Sequence, residues 1–90
     1  QRAYEIGLIN RVIPPENLME ETRKFAAKLA KLPPFAMKMA KDAMNYGYDL
    51  SLDSANKLEI ACILQCFSTQ DQKEGMAAFL EKRKPTFTGK

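Results

Sequence analysis

Residues 58–67, Leu-Glu-Ile-Ala-Cys-Ile-Leu-Gln-Cys-Phe, carry eight apolar side chains in ten positions, with only Glu59 and Gln65 polar. As a helix this run is apolar on nearly every face, and a helix of that kind is buried on all sides. Ninety residues of short helices can hardly wrap one of their own number completely, because small chains bury proportionately less surface. The run is therefore expected to lie against another part of a longer protein or another subunit. The competing arrangement is a central helix in a self-sufficient bundle. The chain opens on Gln1, and its first residues read like the inside of an element, so a fragment or processed piece is expected.

The flanking sequence is mainly helical. Residues 2–6 read as the last turn of a helix closed by Gly7 as a left-handed cap. Residues 8–13, Leu-Ile-Asn-Arg-Val-Ile, are β-branched and partly alternating, which predicts one short strand. A lone strand must pair with something absent from this chain or lie as an extended connector. After Pro14-Pro15, the positions Leu18, Phe25, Ala26, Leu29 and Leu32, with Thr22, repeat at helical period from Glu16. Its acidic residues come early and its basic ones late, in the order that suits the helix dipole. Pro33-Pro34 breaks that helix and starts the next, about 35–46, with an Ala36, Met37, Ala40, Ala43 and Met44 stripe and Gly47 as its stop. Ser51 can cap a helix over 52–67. Ser68 or Thr69 can cap the last, which has Asp71 and Glu74 in its first turn. Met76, Phe79, Leu80 and Arg83 fall at helical spacing there, with Pro85 as the stop and an extended tail after it. Gly75 inside this helix costs up to about 1 kcal/mol relative to alanine and is expected to admit the close approach of another backbone.

Little in the chain supports chemistry. It contains no histidine, which removes Ser-His and Cys-His nucleophile pairs and His-bound metal sites. It also has no phosphate-cradling or nucleophile-elbow glycine motif. Cys62 and Cys66 share a helix face without a further soft ligand, so they read as buried structural thiols, not as a metal site or a disulfide. Glu59, alone in the apolar run, could be desolvated as a general base, but a lysine partner or a solvent-facing strip is the plainer reading. No apolar run approaches the roughly 20 residues of a membrane span, and no secretory leader pattern opens the chain.

The net charge of +3 sits wholly at the C-terminal end: residues 1–79 hold ten charges of each sign, and the rest hold Lys82, Arg83, Lys84 and Lys90 against Glu81. Four cations attract phosphate but are too few to indicate a nucleic-acid binder. Phe79 followed one turn later by Lys82, Arg83 and Lys84 can offer a flat face to a heterocycle and a charge to its phosphate. Core packing of Phe79 is the plainer alternative.

Several ordered phrases resemble the C-terminal third of the crotonase (enoyl-CoA hydratase/isomerase) superfamily. They are Ala3-x-x-x-Gly7-Leu8-Ile9-Asn10-x-Val12-Ile13-Pro14, Leu29-Ala30-x-x-Pro33 and Lys41-x-x-x-Asn45. The most specific is Phe67-Ser-Thr-x-Asp71-x-x-Glu74-Gly75-x-x-Ala78-Phe79-Leu80-Glu81-Lys82-Arg83-x-Pro85-x-Phe87. The resemblance spans about residues 3–87 and implies a mainly α segment, three to four helices plus one short N-terminal strand, of a ββα spiral fold whose spiral core lies upstream. On that basis residues 1–13 are the end of the core, and residues 14–90 form a helical oligomerisation and lid region.

The implied parent adds water across the double bond of a 2-enoyl-CoA to give 3-hydroxyacyl-CoA, as in fatty-acid β-oxidation. It uses no prosthetic group, and the coenzyme A thioester is its substrate. Two glutamates and a backbone oxyanion hole do that work in the family. None of Glu5, Glu16, Glu20, Glu21, Glu59, Glu74 or Glu81 matches those glutamates, so no catalytic residue carries over and this chain alone is expected to be inactive. The resemblance places Phe79 and Lys82 near the adenine and 3′-phosphate of coenzyme A, commonly that of a neighbouring subunit. It places Ile63 and Phe67 beside the acyl tail. It further implies a trimer or a dimer of trimers, no metal, no nucleic-acid or membrane partner, and a cytoplasmic or mitochondrial-matrix location. The rival readings are a family isomerase or other acyl-CoA lyase, and a stand-alone helical interaction module.

Overall fold

The computed structural model describes residues 1–90. The helices are α1 (Arg2–Glu5), a 3-10 turn (Pro15–Asn17), α2 (Leu18–Leu29), α3 (Pro34–Gly47), α4 (Leu52–Phe67) and α5 (Gln70–Leu80). Contacts group the chain into two units, Gln1–Ala30 and Lys31–Lys90.

In the first unit, α1 is closed by Gly7 at φ +75°. The Leu8 amide donates to the Ala3 carbonyl (2.8 Å) and the Gly7 amide to the Tyr4 carbonyl (3.0 Å), the six-to-one and five-to-two bonds of a Schellman motif. The strand predicted over 8–13 does not form. Residues 8–10 bend and 11–14 carry no regular structure. The alternating pattern is present, but no second strand is there to accept its ladder. Pro15 opens the 3-10 turn, and α2 follows with Lys24 between Glu20 (2.7 Å) and Glu21 (2.9 Å). The Arg11 guanidinium lies 5.8 Å from the centre of the Phe25 ring, within cation–π range. No side chain of these helices is buried, and Leu18, Phe25 and Leu29 of the apolar stripe stay exposed.

The second unit is organised by α3 and α4, which pack side by side along their length. Both start as their residues dictate. Pro34 occupies the first turn of α3, where a missing N–H costs nothing. Ser51 caps α4 by accepting the Ser54 amide at 3.4 Å. An added methyl at Gly47 would sit 3.6 Å from the Ala55 side chain, so the small residues let the two helix ends approach closely. Met39 of α3 and Cys62 of α4 are buried, and Ala78 of α5 completes the buried apolar set. No large side chain is fully buried.

The last helix ends earlier than Pro85 suggests. It stops at Leu80, and the chain reverses at Lys82, which holds φ +55°. Beyond it, residues 84–90 run without regular structure back along α5, pinned by two carboxylates of that helix.

Candidate functional site

The end of α5 is built by a second Schellman closure. The Arg83 amide donates to the Ala78 carbonyl (3.0 Å), the Lys82 amide to the Phe79 carbonyl (3.3 Å) and the Glu81 amide to the Ala77 carbonyl (2.9 Å). The turning residue in such a closure is usually glycine, because a Cβ in the left-handed region crowds the following carbonyl. Here it is lysine.

Arg83 folds back across α5. Its Nη1 and Nη2 form a fork on Glu74 Oε1 (2.6 Å) and Oε2 (2.8 Å), while Nε donates to Glu81 Oε2 (2.5 Å). Glu74 Oε1 also accepts the Thr86 amide at 2.9 Å. One helical turn earlier, Asp71 is 3% exposed, and its carboxylate accepts the Thr88 amide (2.7 Å) and the Gly89 amide (2.8 Å). The Asp71 amide donates to the Lys90 carbonyl at 3.0 Å. The Arg83 guanidinium, followed by the Thr86 N–H, holds the Glu74 carboxyl down at about 2, from an ordinary 4.5. The two carboxylates of Glu74 and Glu81 raise Arg83 above its ordinary value.

The cations of the basic cluster thus divide. Arg83 has its fork and its Nε engaged by carboxylates within the chain. Lys82 and Lys84 have no carboxylate within 4.0 Å. Beside them Phe79 is 79% exposed, so core packing within this chain does not account for it.

The other two site candidates lie on α4. Ile63, 47% exposed, lines an open groove of about 580 Å³ between α3 and α4, together with Met39, Met44, Glu59, Cys62 and Cys66. Phe67, 60% exposed, is the last residue of α4 and does not line that groove. Ile60 and Leu64 are exposed as well, so most of the apolar run of α4 is uncovered. Glu59 is exposed at the groove, so nothing within this chain desolvates its carboxylate. Cys62 is buried and Cys66 half-buried, its thiol donating to the Cys62 carbonyl at 3.4 Å. A second groove, about 250 Å³, runs between Pro33, Phe35, Cys66, Gly75, Met76 and Phe87. Phe67, Phe79 and Lys82 line neither groove, so the structure does not gather the four candidates into one cavity.

Sequence reasoning missed the carboxylate strap. Asp71 and Glu74 look like ordinary first-turn residues, and their partners are backbone amides at distant positions. Pro85 and Thr86 gave no sign of it. Gly75 was expected to admit another backbone; its neighbour is instead the Phe87 ring, 3.5 Å from where a Cβ would sit, an ordinary contact.

The helical chain thus leaves the apolar run of α4 and a basic corner at the end of α5 exposed. The enoyl-CoA hydratase/isomerase family model matches residues 1–90, and the chain belongs to that family. It is 44% identical over 88 residues to crotonyl-CoA hydratase of Syntrophomonas wolfei, covering 98% of this chain and 34% of the relative. It is 42% identical over 88 residues to a probable mitochondrial enoyl-CoA hydratase of Dictyostelium discoideum, covering 98% and 32%. A crystal structure of an enoyl-CoA hydratase/isomerase from Mycobacterium paratuberculosis superposes with a TM-score of 0.96 at 31% identity, covering all of this chain and 35% of that one. The chain thus spans about a third of the length of the relatives it matches.

Proposed function

We propose that this chain is the C-terminal part of an enoyl-CoA hydratase, acting in hydration of 2-enoyl-CoA thioesters of the β-oxidation type. Residues 1–13 belong to the end of the catalytic core, and residues 14–90 form the helical region that covers the acyl pocket and meets other subunits of a trimer. Phe79 stacks on the adenine of coenzyme A and Lys82 pairs with its 3′-phosphate. Ile63 and Phe67 lie toward the acyl tail. The exposed apolar residues Ile60, Leu64 and Phe67 suit subunit or core contacts. The chain supplies none of the catalytic glutamates, so on its own it turns over no substrate. The protein acts in the cytoplasm or the mitochondrial matrix, in keeping with the mitochondrial relative. No helix is long and apolar enough to cross a membrane.

The observation that carries this reading is the end of α5, where an exposed aromatic ring stands beside a lysine whose ammonium has no partner in the chain. A heterocycle and a phosphate are what such a pair recognises. Lys82→Ala in the full-length enzyme tests it. The KM for crotonyl-CoA rises about tenfold, the size of one lost charge-assisted contact, with kcat little changed. An unaltered KM removes Lys82 from the site.

A further inference from the structure

The same corner shows a feature that coenzyme A recognition alone does not require. Lysine is a poor choice for a left-handed turn, and a non-glycine residue there persists only when its surroundings over-determine it. The surroundings here are specific. Arg83, the next residue, is forked onto Glu74, nine positions back along α5, and Glu74 also holds the Thr86 amide on the far side of Pro85. The chain is therefore gripped on the C-terminal side of Lys82, while the helix hydrogen bonds grip it on the N-terminal side. Asp71 extends the grip to Thr88 and Gly89.

We propose that Glu74 and Arg83 are positioning residues that fix Lys82 in its left-handed turn and so aim its ammonium at the 3′-phosphate of coenzyme A. The proposal rests on the assignment of Lys82 to that phosphate. Arg83, although cationic, is committed to Glu74 and Glu81, and the phosphate is left to Lys82 with Lys84 nearby. A fork of this kind needs guanidinium geometry, which a lysine at position 83 would not reproduce.

Charge and position predict opposite signs for one substitution, Glu74→Gln. As a charge, Glu74 opposes an anion, so neutralising it tightens binding. As a positioning residue, it loses the charged fork on Arg83 when neutralised, and binding weakens. Coenzyme A and 3′-dephospho-coenzyme A are the probes, titrated calorimetrically into the full-length enzyme. The expected result for Glu74→Gln is a Kd for coenzyme A raised about tenfold, an unchanged Kd for the dephospho compound, and a raised KM at steady kcat.

Unchanged or tighter coenzyme A binding in that variant overturns the proposal, as does equal weakening toward both ligands, which marks a general loosening. Lys82→Ala separates the two levels. If it leaves coenzyme A binding untouched, the assignment of Lys82 fails. If it weakens binding while Glu74→Gln does not, only the positioning role fails.

Discussion

Two helices in this chain end on the same hydrogen-bond pattern with different residues at the turning point. At the end of α1 that residue is Gly7, at φ +75°, with nothing within 4 Å of where a Cβ would sit. At the end of α5 it is Lys82, at φ +55°, followed by an arginine locked to two carboxylates. The first closure stands without help, because glycine adopts the left-handed region freely. The second is backed by an ion pair and a strap of backbone amides bound to Asp71 and Glu74. On the proposed reading the lysine stands there for what its side chain does, since the turn itself would be easier with glycine.

The largest break in this comparison comes from Asp71→Ala. The buried carboxylate is the acceptor for the Thr88 and Gly89 amides, and its loss leaves them without their partner. The strap should be destabilised by about 2–3 kcal/mol, seen as faster hydrogen exchange at those two amides. Next in size is a reciprocal pair of substitutions. Gly7→Lys forces a Cβ into a closure that has no clamp and should lower unfolding stability by about 1–2 kcal/mol. Lys82→Gly relieves the backbone and should raise it by about 0.5–1 kcal/mol while weakening coenzyme A binding. Denaturant melts of both variants check the signs, and equal effects at the two ends would mean that the clamp is irrelevant.

The smallest effect is a pH dependence. Glu74 sits at about 2 in the folded chain against an ordinary 4.5. A depressed carboxyl contributes stability that is complete above about 4.5 and is lost as pH falls toward 2. The Thr86 amide resonance reports the folded state, so it should move about a midpoint near 2, and Glu74→Gln should abolish the movement.

Some of this was legible in the sequence. Ser51 and the apolar run gave both ends of α4, because a side-chain cap and a local pattern are enough to set such a helix. Gly7 gave the end of α1. The end of α5 was misplaced because no glycine marks it, and Pro85 looked like the stop although the chain had already turned at Lys82. Residues 8–13 have the composition of a strand, but a ladder needs a partner that sequence alone does not supply. Phe79 and the cations after it stood out by their spacing, and the family resemblance then selected Lys82 among them. Asp71 and Glu74 were seen as dipole partners, since backbone amides many residues away leave no trace in side-chain identity.

The short buried apolar list of Met39, Cys62 and Ala78 has a calorimetric consequence. Heat-capacity change on unfolding scales with the hydrocarbon newly exposed to water. A polypeptide that hides so little of it in isolation has a small increment, hence a shallow stability curve, and its small unfolding enthalpy makes the thermal transition broad. On the proposed reading, in which Ile60, Leu64 and Phe67 are covered in a longer protein, both the increment and the sharpness of the melt rise with that covering.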